Sequence, residues 1–304
     1  MLTVLMATHN GSTTLPRVLE SYGGLVPPHG GWRLIVVDNA STDGTREVLR
    51  RFATRLPLLA IHTEKRGKNV ALNAGIERIE GDLVVFTDDD AIPDADWLSC
   101  LQQAAALHMD YDVFGGHIRA IWPGQPPDWI RRSVDLGAVY AVTPARRLSG
   151  PTLPGHIWGP NMAVRRNVFA LGHRFDEGFG PQPGQYVMGG EVEFLHRIAR
   201  QGHRAWFVGN ATVGHIIRPH QLERSWILER AHRLGKYMYH SDKTRLASLA
   251  KAMVYWKRAR MSVEQAARWL GTLAKSEGMT FSAEWRLAFL EGYRAEATKS
   301  RGAH

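Results

Sequence analysis

The sequence has almost no cysteine. Cys100 is the single one in 304 residues, which excludes an intramolecular disulfide and a four-cysteine zinc site. A reducing, cytoplasmic setting is expected. Long apolar runs are missing too: no uninterrupted stretch approaches the roughly 20 residues needed to cross a bilayer. Met1–Met6 carries neither the basic region nor the apolar core of a signal peptide and runs straight into a strand-like segment. The expectation is a soluble protein, or one held peripherally at the inner face of a membrane. Internal repeats and low-complexity tracts are likewise lacking.

What is present is 44% hydrophobic composition, enough to fill the core of one large or two modest domains. The net charge of +9 is unevenly spread. Between Ile217 and Arg260, eleven Lys or Arg stand against Glu223, Glu229 and Asp242, a local excess of +8. A basic C-terminal segment on a nearly neutral body points to an anionic partner, either lipid head groups or nucleic acid. Within it, Leu246–Trp256 sets Leu246, Leu249, Met253, Val254 and Trp256 beside Arg245, Lys251, Lys257 and Arg258, the composition of a helix lying in a membrane surface. The alternative is that this apolar face packs on protein. No recognisable module with base-stacking aromatics accompanies the charge, so nucleic acid is not expected.

The chain is organised around Gly81–Asp90. Leu83, Val84, Val85 and Phe86 form the continuous apolar run of a strand buried on both faces, and it ends in Asp88, Asp89 and Asp90. Three adjacent carboxylates repel one another. They become favourable where a divalent cation, Mn²⁺ or Mg²⁺, shares the space with a diphosphate, and ligands gather outside the carboxyl ends of such strands. A solvated acidic turn is the plainer reading.

Ahead of it, Thr3–Ala7, Arg33–Val37 and Leu58–Ile61 read as strands. Helices are predicted from Leu15, over Arg46–Ala53 after the capping run Ser41–Gly44, and over Val70–Ile79. Strand and helix alternate, which calls for a mostly parallel sheet flanked by helices. The second half is less regular. Val113–Ile121 reads as a strand, Trp122–Trp129 as a Pro-rich loop, and Glu177–Gly190, with five glycines, as a loop that closes over ligand. Glu191–Gln201 has helical spacing, and Ala205–Val208 and Ala211–Val213 read as two short strands before His215. From about Ile216 the pattern is helical and basic.

These segments, in this order, resemble family 2 glycosyltransferases of the GT-A (Rossmann-like) fold. The resemblance covers about Leu2 to Lys236. It rests on Thr8-His9-Asn10, on Val36 to Thr45, on Ala71-Leu72-Asn73-Ala74-Gly75-Ile76, on Thr87-Asp88-Asp89-Asp90, on Gly159-Pro160-Asn161-Met162-Ala163 and on Gly190-Glu191-Val192-Glu193-Phe194. It implies a catalytic domain over 1–215 and a basic, mainly helical extension over 216–304. It also implies transfer of a sugar from a nucleoside-diphosphate donor, UDP first among the carriers, to a hydroxyl of a saccharide or lipid-linked acceptor. The anomeric carbon is inverted, in glycan, polysaccharide or glycolipid synthesis.

Residue by residue, the resemblance places Thr8 and Asp38 at the base and ribose. Asp88 and Asp89 fall beside the nucleotide, with Asp89 free to face the other way, and Lys68 comes within reach of the diphosphate. Asp90, Asp88 and His215 form the metal set. The family has an acid pair where this chain has Gly190 and Glu191, so Glu191 becomes the general base, and Glu193 is left a structural role with Arg197. Trp122, Trp129 and Trp158 are available to stack on sugar rings or to fill core. Because the acid pair is altered, a catalytically silent nucleotide-sugar or glycan binder is the alternative. A nucleotidyltransferase would need a Gly-rich basic loop after the first strand, and Thr8–Thr13 is not one.

Overall fold

The computed structural model describes residues 1–182, 185–245 and 277–302. In chain order it forms β1 (Leu2–Thr8), α1 (Leu15–Tyr22), β2 (Trp32–Asn39), α2 (Thr45–Phe52), β3 (Leu58–Thr63), α3 (Lys68–Ile76), β4 (Leu83–Asp88), β5 (Ala91–Pro93), α4 (Trp97–Leu107), β6 (Val113–Ile121), α5 (Asp128–Ser133) and α6 (Leu136–Tyr140). It continues with β7 (Gly150–Thr152), β8 (Met162–Arg165), α7 (Arg166–Ala170), β9 (Gly180–Gln182), β10 (Gln185–Val187), α8 (Gly190–Ala199), β11 (Ala205–Ile216), α9 (Arg224–Arg245) and α10 (Glu277–Gly302). The expected in-plane helix over Leu246–Trp256 lies outside the described residues.

A nine-stranded sheet runs in the order β3-β2-β1-β4-β8-β6-β11-β5, with β7 also paired to β11. Strands β3, β2, β1, β4, β6 and β11 point one way, and β8, β5 and β7 oppose them. The sheet is therefore mostly parallel by direction, as the alternating pattern predicts. Its apolar runs are continuous because both faces are covered. Val4, Met6, Leu34, Val36 and Val85 face a layer with Leu15, Val18, Leu49, Trp97 and Leu101. The alternate residues Leu5, Ile35, Val37, Val84 and Phe86 face Ala71, Leu72, Phe169, Phe194 and Ile198. Successive side chains on a strand point to opposite faces, so a one-residue register slip would exchange the two layers.

Three expectations are corrected. The two short strands before His215 are one strand, β11, whose register against β6 shifts between Val208 and Thr212, and His215 lies within it opposite Ala120. The irregularity is stabilised from outside: the buried Asn161 amide donates to the carbonyls of His117 (2.9 Å) and Ala211 (2.8 Å) and accepts from Trp97 Nε1 (2.9 Å). The stretch Glu177–Gly190 is not all loop, since β9 and β10 form a two-stranded sheet and residue 190 already begins α8. The supposed loop Trp122–Trp129 runs into α5, which starts at Asp128. The sequence reading gives no element to α4, although Trp97, Leu98, Leu101, Ala104 and Ala105 at helical spacing mark its buried face.

The chain divides into two compact units. One comprises Met1–Ile121, Tyr140–Gln185 and Gly190–Ile216, and the other Trp122–Val139, Tyr186–Gly189 and Ile217–His304. The first holds the sheet. In the second, α9 and α10 pack together; the Arg224 Nε–Glu284 pair (2.7 Å) and the Tyr293 hydroxyl on Asp242 (3.1 Å) join them, and Trp129 packs on Phe281. Among the described residues no helix is long and apolar enough to cross a membrane.

Candidate active site

The carboxyl ends of β1, β2 and β4 carry Thr8, Asp38 and Asp88 in register, Thr8 opposite Asp38 and Ala7 opposite Asp88. Parallel pairing brings these ends together, and the polar side chains follow from where the apolar runs stop. Asp38 is buried, and its carboxylate accepts from Ser41 N (3.0 Å), Arg46 Nε (3.1 Å) and the His62 ring (3.1 Å). Burial raises its pKa, but these hydrogen bonds outweigh burial and leave it below the ordinary carboxylate value. Both oxygens are thus engaged within the protein. Arg46 and His62 were not anticipated; they are carried by α2 and β3, and no local pattern signals them.

The three acids after β4 diverge. Thr8 Oγ1 donates to Asp89 Oδ2 (2.5 Å), so Asp89 turns back toward β1. Asp90 Oδ1 lies 3.3 Å from His215 Nε2. The other ring nitrogen of His215 lies 2.7 Å from the Tyr140 carbonyl. A carbonyl only accepts, so Nδ1 carries the proton, and in the neutral ring Nε2 presents its lone pair to the Asp90 carboxylate. Burial lowers the His215 pKa, but the Asp90 charge and these hydrogen bonds raise it above the ordinary imidazole value. Two acceptors face one another there unless a proton or another cation joins them.

Asp88 instead meets Lys68, the first residue of α3. Lys68 Nζ is 2.6 Å from Asp88 Oδ1 and 2.7 Å from Glu191 Oε1, so one ammonium bridges the end of β4 and the start of α8. The start of α3 is pinned by Asn39, whose side chain accepts from Gly67 N (2.7 Å) and donates to the Lys65 carbonyl (2.8 Å). Gly67 has φ 138°, which favours glycine. Burial disfavours the Lys68 ammonium, yet the charges of Asp88 and Glu191 hold its pKa well above the ordinary value. Burial also raises the Asp88 pKa; Lys68 opposes this, and the neighbouring charges of Asp90 and Glu191 add to it.

Gly190 leaves little room for a side chain. A Cβ at Gly190 would fall 2.5 Å from Asn69 Nδ2, and buried Asn69 donates to the Asp176 carbonyl (2.7 Å). Asn69 therefore fills the volume that a side chain at 190 would need. Glu191 has its own clearance, because a Cβ at Gly159 would lie 2.7 Å from Glu191 Oε1. Glu193 turns elsewhere and takes Arg197, Nε to Oε1 2.9 Å. Trp158 packs against the core layer of α1 and α4. Among the described residues no three His, Cys, Asp or Glu converge as a preformed metal centre. Of the expected metal set, Asp90 and His215 are together, while Asp88 is held by Lys68. An open groove of about 740 Å³ between α1 and α2 is lined by Arg17, Glu20, Arg51, Phe52, Arg55 and Ile92.

The clearance at Gly159 yields a test. In Gly159→Ala the new methyl displaces only the flexible end of Glu191, so the thermal midpoint should stay within a few degrees while turnover falls by up to about 10²-fold, the cost of a misplacement near 1 Å. Parallel melting curves and kcat measurements check it.

The profile described as "Glycosyl transferase family 2" matches residues 3–172, more than half of the chain. The chain belongs to that family and is a glycosyltransferase. It is 25% identical over 237 residues to the glycosyltransferase AglE of Haloferax volcanii, covering 77% of this chain and 72% of that one. Among solved structures it is similar to the mannosyltransferase PcManGT of Pyrobaculum calidifontis in complex with GDP-Man and Mn²⁺, with TM-score 0.66, 21% identity and coverage of 96% and 86%. It is also similar to residues 1–349 of S. aureus TarS in complex with UDP-GlcNAc, with TM-score 0.53, 16% identity and coverage of 99% and 92%. At these identities the two structures establish the GT-A fold.

Proposed function

We propose that the protein transfers a sugar from a nucleoside-diphosphate sugar to an acceptor hydroxyl, with inversion, in glycan, polysaccharide or glycolipid synthesis. The observation that carries this reading is that Asp88 and Glu191 both contact Lys68 Nζ. A carboxylate suited to accept a proton thus stands one atom away from the acids suited to a donor diphosphate. Of the two similar solved structures, one was solved with a guanine nucleotide sugar and the other with a uracil one. The base is accordingly left open, with UDP the first to test.

The donor set fits a hard divalent cation, Mn²⁺ or Mg²⁺. Asp90 and the lone pair of His215 Nε2 meet at one point, and the ring's other N–H is fixed on a carbonyl, as is usual for a metal-bound histidine. Asp90 and His215 would hold the ion with help from Asp88, and when bound it supplies charge that stabilises the departing diphosphate. Thr8 holds Asp89 in place, and Asp38 shapes the base end through Arg46 and His62. Glu191 takes the acceptor hydroxyl's proton as that oxygen bonds to the anomeric carbon. The bond from that carbon to the diphosphate breaks, and the diphosphate leaves with its electron pair. Attack opposite the leaving group inverts the carbon. The acceptor is a saccharide or a lipid-linked saccharide, and a lipid-linked one would give purpose to docking of the basic extension on an anionic membrane surface.

Asp90→Ala is expected to abolish metal-dependent binding of UDP- and GDP-sugars while the fold is kept. Titration calorimetry with Mn²⁺ and with excess chelator checks this, and equal affinity in the two conditions for the unmodified protein would remove the metal from the scheme. Transfer of a labelled donor sugar, against binding alone, decides between an enzyme and a silent binder.

A further inference from the structure

We propose that Lys68 is a resident counter-cation that keeps the site closed to a bare divalent ion and couples donor arrival to release of the base. This deepens the nucleotide-sugar reading above and rests on it. Asp88, Asp89, Asp90 and Glu191 gather within contact of the Lys68 ammonium, the His215 ring and the Thr8 hydroxyl. Lys68 occupies one carboxylate on each side of the cluster. Its ammonium has three N–H donors and two of them are committed, one to Asp88 and one to Glu191.

A divalent ion recruiting Asp88 must therefore displace an ammonium of like sign from a 2.6 Å contact. That raises the apparent dissociation constant of the ion, because only the fraction of molecules with Asp88 released is competent. A diphosphate changes the balance. It brings negative charge that Lys68 can follow, and it brings further oxygen ligands for the ion. As Lys68 moves onto phosphate, Asp88 is freed for the metal and Glu191 is freed for the acceptor hydroxyl in the same event. Metal and donor then enter together, and the base becomes accessible only after they have.

The scaffold suits this role. Lys68 is the first residue of α3, and the next turns of the same helix grip the segment leading to the base: Asn69 bonds the Asp176 carbonyl (2.7 Å), and Asn73 both donates to and accepts from the Phe175 backbone (2.9 Å each). These bonds hold α3 at the lysine end of the bridge, and the four-carbon stem of Lys68 is long enough to switch.

The experiment measures Mn²⁺ binding by the full chain without nucleotide, following the paramagnetic resonance signal of free Mn²⁺, for the unmodified protein, Lys68→Gln, Lys68→Arg and Asp90→Ala. Lys68→Gln should bind Mn²⁺ about tenfold more tightly or better, since it removes a like charge at contact distance. Lys68→Arg should stay weak. UDP or GDP should tighten Mn²⁺ binding strongly in the unmodified protein and little in Lys68→Gln. If Lys68→Gln does not fold, the double variant Lys68→Gln/Glu191→Gln, which also removes one of the charges the lysine balances, reads the same affinity. Mn²⁺ affinity in Lys68→Gln equal to or below that of the unmodified protein, with Asp90→Ala still losing the ion, overturns the role of Lys68 alone and leaves it as a diphosphate ligand. Absence of Mn²⁺ uptake by every protein, with and without nucleotide, overturns the metal reading as well.

Discussion

Glu191→Gln is expected to lower turnover by about 10²–10⁴-fold, the usual contribution of a positioned proton acceptor, with donor affinity nearly kept. The amide has almost the volume of the carboxylate, so the clearance at Gly159 is still used and α8 is undisturbed. Its contact with Lys68 also persists, since the amide oxygen accepts from the ammonium. What it loses is the ability to take a proton. Glu193→Gln is the matched control: Glu193 pairs with Arg197 four residues on, and its loss should cost less than tenfold in turnover. Steady-state rates with a labelled donor, set beside calorimetric donor affinity, check both. A drop confined to Glu193→Gln would move the base two residues along α8.

Asn161→Leu is expected to give the largest loss of stability. Asn161 is fully buried, and its amide satisfies three groups: the Trp97 indole N–H and the carbonyls of His117 and Ala211. Ala211 lies in the stretch of β11 where the register against β6 shifts, and His117 borders that shift on β6. Leucine has a similar volume but no polar atoms. Each of the three groups left buried without a partner costs about 1–3 kcal/mol, so the loss should total about 3–9 kcal/mol. Domains are typically stable by only about 5–15 kcal/mol, so the variant should melt at least about 6 °C lower or accumulate as insoluble protein. Differential scanning calorimetry reads the outcome. An unchanged melting temperature would mean that water serves those carbonyls instead.

The apolar runs of β1, β2 and β4 could be read directly because each strand is buried on both faces, and burial on both sides leaves a local compositional mark. Parallel pairing then follows from the helices between them. The carboxyl-end residues Thr8, Asp38 and Asp88 follow in turn, because a buried run must stop where the chain meets water. The family resemblance added Glu191 and His215 as candidates, which fall on α8 and β11, and the pairing of Glu193 with Arg197 could be anticipated from their spacing of four on a helix. Sequence by itself therefore determined the parallel strands β1 to β4 and the identities of the acids at their carboxyl ends.

The tertiary structure decided how those acids are shared. Whether Asp88 faces Asp90, Lys68 or solvent depends on where α3 and α8 begin in space, and a lysine beside a glycine turn carries no mark of a partner on a distant helix. The same holds for Arg46 and His62 on Asp38, and for Asn69 filling the volume beside Gly190. The continuity of β11 was hidden because its polar and small residues at the register shift look like a turn, and Asn161, arriving from the turn before β8, hydrogen-bonds the backbone there. Ion pairs and side-chain plugs are made across long sequence separations by geometry that periodicity does not encode, whereas the burial that shapes a strand acts on every residue along it.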